Sequence, residues 1–290
     1  MVETRDVEVA TGRFRVMVAG PTVGPMVLVL HGFPDAPPSF VPLIEMLAAR
    51  GYGVVAPWMR GYAPSVMGGP YDAEALAGDV LALADVIAPG GAPVHLLGHD
   101  WGAVATYAAC ALAPARFGAS VALAVPHPLA FLRAATTTRQ ALHSWYLAFF
   151  QLPGAERIAA ARDFALIDRL WRTWSPGYRL PPRLRDELHA CLKASWPAPL
   201  LYYRAMFRPL GAAIRRLRST TGIAGRLTVP LLYLHGADDG CIAPAAAGDA
   251  ERYFAGPYRA EVLAGAGHFL AAECPEEVAT RAADWWSVHA

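Results

Sequence analysis

The 290-residue chain is short of charge and almost devoid of lysine. Lys193 is its sole lysine, and charged residues make up 17% of the chain against about 25% in an ordinary globular protein. What charge there is cancels: 25 Lys+Arg against 24 Asp+Glu leave a formal net charge of +1, so no global field recruits nucleic acid or an acidic membrane. Cysteine is scarce too. Cys110, Cys191, Cys241 and Cys274 lie far apart with no C-x-x-C pair, which argues against a disulfide framework or a zinc knuckle and suits reduced thiols in a cytoplasm. Met1–Asp6 carries acidic residues and no apolar leader segment, and no run approaches the roughly 18 apolar residues of a membrane span. The expectation is an unprocessed cytoplasmic protein, monomeric or homodimeric, with small neutral molecules for partners. Apolar residues, at 55%, are plentiful enough to exclude disorder and to build a large core. At roughly 150 residues per domain, the length fits two domains or one α/β domain carrying an insertion.

Periodicity separates these options. β-type runs at Val7–Ala10, Phe14–Val18 and Met26–Leu30 lead the chain, the last solidly apolar as a strand covered on both faces should be. A helical pattern near Phe40–Ala49, a strand at Gly53–Ala56, a Gly/Pro-rich loop and a helix over Asp72–Ile87 follow. Next come a strand at Val94–Leu97, a small-residue helix ending before Pro114, and a strand at Ser120–Val125. Strand–helix alternation predicts a mostly parallel sheet. It stops between 127 and 228, where helices and loops rich in Trp, Tyr and Pro intervene, then resumes with strands at Val229–Leu234 and near Arg259–Leu263 and a last helix containing Glu276–Trp286. One α/β core, 1–126 plus 223–290, interrupted by a helical lid over 127–222, accounts for this better than two sequential domains.

The chemistry concentrates at the strand ends. Gly98-His-Asp100-Trp-Gly102, between an apolar strand and a small-residue helix, has the form of a nucleophile elbow. Such a strained turn brings strand and helix backbones together and needs small residues two positions either side of the nucleophile. Here the central residue is aspartate, at a helix N-terminus that favours an anion. Asp239 and His268 follow strands of the resumed sheet and would complete a nucleophile–acid–histidine series at the carboxyl edge; Gly265 and Gly267 free the turn that projects His268. Asp238 is the competing acid, since only one of the two neighbours can orient the histidine. His31, His95, His99, His127 and His235 adjoin strand ends and read as rings satisfying backbone groups. A metal held by His99, Asp100, Asp239 and His268 lacks any recognised ligand spacing, so neither a metal nor a cofactor is expected. Leu30-His-Gly-Phe-Pro34 follows the third strand, where the N–H of Phe33 could join that of Trp101 in an oxyanion hole.

Taken together, His31-Gly-Phe-Pro34, Gly98-His-Asp-Trp-Gly102, Gly236-Ala-Asp-Asp239 and Gly267-His268 resemble the α/β-hydrolase-fold epoxide hydrolases and their haloalkane and haloacetate dehalogenase relatives, over essentially the whole chain. The resemblance implies that fold with an inserted lid, and the Gly236-x-x-Asp spacing favours Asp239 as the acid. Aspartate suits attack on an alkyl carbon, because it forms an ester that water can cleave where serine would leave an ether. In the lid, Trp145-Tyr146-Leu-Ala-Phe-Phe-Gln151 and Tyr202-Tyr203-Arg204 resemble the two tyrosine motifs of epoxide hydrolases, with Tyr146 and Tyr203 at the phenol positions and Tyr202 as the ambiguous neighbour. Phenols acting as acids to a departing alkoxide imply a small apolar epoxide as substrate, bound near Phe33, Trp101, Tyr146 and Tyr203. The alternatives are dehalogenation by the same aspartate and a non-catalytic ligand-binding module on this fold.

Overall fold

A computed structural model of the chain describes residues 1–209, 211 and 226–289. Eight strands form one sheet in the order β1-β2-β4-β3-β5-β6-β7-β8: β1 Glu3–Val9, β2 Gly12–Ala19, β3 Met26–Leu30, β4 Gly53–Pro57, β5 Val94–His99, β6 Phe117–Leu123, β7 Leu231–Gly236 and β8 Tyr258–Leu263. β1 pairs antiparallel with β2, and β2 antiparallel with β4; every other neighbouring pair is parallel. Helices cover both faces, as a parallel sheet requires. Alternation along β5 sends Val94 and Leu96 into one core layer and Leu97 into the other. The first layer packs against α2 (Ala73–Ile87) and α3 (Trp101–Leu112), and the second against α1 (Val41–Ala49) and the C-terminal helix Pro275–Val288. α2 starts where expected because the Asp72 side chain caps it, accepting the Ala75 N–H at 3.0 Å.

Some element boundaries differ from the pattern-based expectation for local reasons. β1 begins at Glu3, ahead of Val7, because it is an exposed edge strand with Val7 its one buried residue and so has no apolar run to reveal it. β6 starts earlier, at Phe117, and stops at Leu123, since Ala124 turns to φ +66°. β7 starts after Pro230, which has no N–H to give to a ladder.

Between β6 and β7 the chain forms α4 (Pro128–Ala134), α5 (Thr138–His143), α6 (Trp145–Phe149), α7 (Ala155–Trp174), α8 (Pro182–Ser195) and α9 (Ala198–Phe207). α7 is broken at Arg162, Asp163 and Phe164, all with positive φ; Asp163 there pairs with Lys193 at 2.6 Å, and Phe164 packs on Trp196. The expected restart of the core at residue 223 lies outside the described residues. α6 and α9 are stitched together by Gln151 Nε2 donating to the Tyr203 carbonyl (2.8 Å) and by Arg204, which reaches the Phe150 carbonyl (3.1 Å) and Glu156 (2.7 Å). From α9, Tyr202 Oη donates to the Arg60 carbonyl in the core, and Arg60 is itself held in a buried pair with Asp79.

Two glycines show how closely the backbones approach. A Cβ on Gly102 would lie 2.1 Å from the Leu30 carbonyl oxygen, while one on Gly78, midway along α2, would meet nothing within 4 Å. Gly102→Ala is therefore expected to cost about 3 kcal/mol by forcing β3 and α3 apart, and Gly78→Ala to gain about 0.5–1 kcal/mol from helix propensity. Urea unfolding of the two variants checks this; equal effects would contradict the packing account.

Candidate active site

The site forms where β3, β5, β7 and β8 present their carboxyl ends. Asp100 follows β5 in a backbone conformation that L-residues avoid (φ +51°, ψ −115°) and begins α3. Gly98 and Gly102 permit this turn: a Cβ on Gly98 would meet the Gly102 carbonyl oxygen at 2.2 Å. The loop after β3 closes against it. Phe33 N–H donates to Asp100 Oδ1 at 2.7 Å, and Gly32 is so close that a Cβ there would lie 2.4 Å from Asp100 and 2.7 Å from Trp101 N. Asp100 Oδ2 stands 3.8 Å from His268 Nε2, which is buried with no hydrogen-bond partner.

His268 Nδ1 meets Asp239 Oδ2 at 2.9 Å, and Asp239 Oδ1 accepts the N–H groups of Cys241 (2.7 Å) and Ile242 (2.9 Å). Of the two neighbouring acids, Asp239 is buried against the ring and Asp238 is exposed. Burial alone would press the His268 pKa down. Burial is the largest single influence, but the charge of Asp239, its hydrogen bond to the ring and the nearby Asp100 carboxylate together outweigh it, and the imidazole is raised to about 10. The other histidines named from the sequence serve the scaffold. His31 Nε2 accepts from Met59 N–H (3.0 Å), His99 Nε2 lies 2.9 Å from the His268 carbonyl, and burial lowers these rings to about 4 and about 3. His127 Nδ1 accepts the Leu129 N–H at the start of α4, and His235 Nε2 lies 2.9 Å from the Ile242 carbonyl. His95 stacks on Trp286 on the far layer.

Tyr146 and Tyr203 enter from the lid, their ring centroids 5.7 Å apart and nearly perpendicular. Tyr203 also packs edge-on against Phe33 (5.3 Å) and Trp101 (5.2 Å), and its hydroxyl is buried with no hydrogen-bond partner. The Tyr202 hydroxyl instead donates to the Arg60 carbonyl. Burial, reinforced by surrounding groups that include Asp100, holds both phenols well above their usual pKa, so they keep their protons. Trp174, Phe150, Trp101 and Phe33 complete an aromatic enclosure.

Several residues escaped the sequence reading. The Tyr146 hydroxyl lies 3.3 Å from Cys241 Sγ, and the Asp35 carboxyl is pushed up to about 7, chiefly by burial. Glu273 and Ser175 bracket the His268 turn. Asp239, Cys241 and His268 also bring three ligand-type atoms within 4.8 Å of one another. They fit a metal poorly, since the imidazole and carboxylate are spent on each other, and burial holds the Cys241 thiol well above its usual pKa, away from the thiolate a metal needs. Among the described residues no helix is long and apolar enough to cross a membrane.

Residues 27–282 match the alpha/beta hydrolase family. The chain is 30% identical to epoxide hydrolase A of Mycobacterium tuberculosis over 92% of its own length and 91% of that protein's. Among solved structures, epoxide hydrolase A from Mycobacterium thermoresistibile superposes with a TM-score of 0.82 at 28% identity, covering 98% of each chain. An epoxide hydrolase from Vigna radiata gives 0.80 at 26% identity over 99% of this chain and 98% of its own.

The charge arrangement has a pH consequence. A histidine whose folded pKa exceeds its unfolded value of 6.5 contributes stability that is whole below pH 6.5 and is lost as pH rises towards about 10. Asp100→Asn removes one of the raising influences, so this loss should be complete at lower pH than in the wild type. Urea midpoints measured from pH 6 to 10 test it, and superposable profiles would contradict the electrostatic account.

Proposed function

The chain belongs to the alpha/beta hydrolase family, and from that premise we propose that it is an epoxide hydrolase that opens small apolar epoxides to vicinal diols through an ester on Asp100. The observation that carries the reading is the pair of lid phenols, Tyr146 and Tyr203, with rings 5.7 Å apart, Tyr203 packing on Phe33, whose N–H binds Asp100, and on Trp101, which follows it. An epoxide leaves as a basic alkoxide and needs an acid; a halide needs none.

The first step is alkylation. With Oδ1 held by the Phe33 N–H, Asp100 Oδ2 is the oxygen that attacks an epoxide carbon. The carbon–oxygen bond of the ring breaks, and a phenol gives its proton to the leaving oxygen, producing a hydroxyl group beside a new ester. Asp100 thereby loses its charge, one of the influences that raise His268, and the imidazolium becomes more acidic. The proton it releases balances the one the phenolate needs to be restored.

Hydrolysis follows. Neutral His268, oriented by Asp239, takes a proton from water on its Nε2 side, and the hydroxide attacks the Asp100 carbonyl carbon. The N–H groups of Phe33 and Trp101 hold the resulting oxyanion. Its collapse breaks the ester, the diol oxygen takes the proton from His268, and Asp100, left as the acid with an oxygen from water, passes its proton to His268, restoring the carboxylate and the imidazolium. The aromatic walls favour an apolar substrate, and the four unpaired cysteines fit a reducing cytoplasm.

Removing the phenols tests the reading. In single-turnover kinetics with styrene oxide, Tyr146→Phe and Tyr203→Phe should each slow alkylation by about tenfold, and the double variant by about a thousandfold or more with the fold intact. Wild-type alkylation by the double variant would overturn the assignment, and halide release from haloalkanes by that variant would point to dehalogenation.

A further inference from the structure

We infer that Glu273, together with Ser175, is a positioning residue for His268: it locks the end of lid helix α7 to the histidine turn and governs hydrolysis of the ester but not its formation. This inference rests on the two-step reading above. His268 sits between β8 and the short helix Leu270–Glu273, in a turn whose amide groups have no ladder to join. One carboxylate grips the amides on both sides of the catalytic ring. Glu273 Oε2 accepts the Gly267 N–H at 2.8 Å, and Oε1 accepts the Phe269 N–H at 2.9 Å. Ser175, the residue that ends α7, donates its hydroxyl to Oε1 at 2.5 Å and also accepts from the Phe269 N–H at 3.1 Å.

The neighbouring residue of the lid completes the clamp. The Trp174 carbonyl accepts the N–H of His268 itself at 3.1 Å and that of Gly240, next to Asp239, at 3.0 Å. Gly267 has no room for a side chain, since a Cβ there would come within 2.5 Å of Ser175 Cα. The loop bearing Asp239 is thus bonded to Trp174, and the loop bearing His268 to both Trp174 and Ser175; charge-assisted bonds to a carboxylate are among the strongest such ties. His268 Nε2 must meet both a water molecule and the Asp100 ester, so a small drift of the turn is costly. Alkylation needs no base, because Asp100 attacks directly, and so the defect falls on the second step.

Glu273→Gln keeps the volume but turns an NH2 group towards one of the two backbone N–H groups, so a single side chain can no longer accept from both amides. In single-turnover reactions of the full-length variant with styrene oxide, intact mass and diol are followed together. Alkylation is expected within about threefold of the wild type and hydrolysis at least about 30-fold slower, so that the Asp100 adduct accumulates. Ser175→Ala, which spares the carboxylate–amide bonds, should shift the same ratio by less and serves if the first variant does not fold. Hydrogen exchange at Gly267, His268 and Phe269 should quicken by about tenfold in both. A common drop in both steps, the mark of a merely structural loss, or unchanged amide protection would overturn the positioning role. Absence of any Asp100 adduct in the wild type and in His268→Gln would overturn the covalent reading itself and, with it, the step assigned to Glu273.

Discussion

The close approach of three backbone segments around Asp100 is the constraint on which the site depends. The β3 loop, the end of β5 and the start of α3 meet at distances that admit no Cβ on Gly32, Gly98 or Gly102, and this contact is what holds Asp100 at positive φ. Because the turn is pinned, one carboxylate oxygen is committed to the Phe33 N–H and the other is left facing His268. A looser turn would let both oxygens find hydrogen bonds and blunt the proposed nucleophile. The strain is local and is sustained by a sheet whose central strands are buried on both faces.

Electrostatics then divides the work. Two carboxylates share one buried imidazole, and the proposed chemistry removes the charge of one of them midway, which converts an imidazolium into a base when a base is needed. The lid contributes more than a cover. Tyr202 anchors α9 to the Arg60 carbonyl so that its neighbour Tyr203 faces inward, and the end of α7 is bonded to the loops bearing Asp239 and His268. A lid attached in this way limits the motions by which substrate enters, since the segment at 174–175 cannot lift without disturbing His268.

Much of this was legible in the sequence. The buried strands announced themselves as apolar runs, and the glycine spacing around Asp100 carries a steric demand that few other turns share. The order Asp100, Asp239, His268 could be read because each follows a strand of one parallel sheet. Spacing favours Asp239 over Asp238, and burial adds what spacing cannot supply, Asp239 lying buried against His268 and Asp238 exposed. The resemblance puts Tyr203 at the phenol position beside Tyr202, and the helix gives the two hydroxyls different surroundings, that of Tyr202 on the Arg60 carbonyl and that of Tyr203 without a partner. The least legible residues act across long separations: Glu273 meets Ser175 98 positions away, and Tyr146 meets Cys241 95 positions away. Neither pair belongs to a local pattern. The exposed edge strand β1 was partly missed for the related reason that its alternation is polar.

The central claim is that Asp100, and not water, attacks the substrate carbon. A single turnover in water enriched with oxygen-18, with enzyme in excess over styrene oxide, separates the two routes. The account predicts that the first diol released carries no label and that one labelled oxygen appears in the peptide containing Asp100. Label in that first diol, with the Asp100 peptide unlabelled, would contradict it.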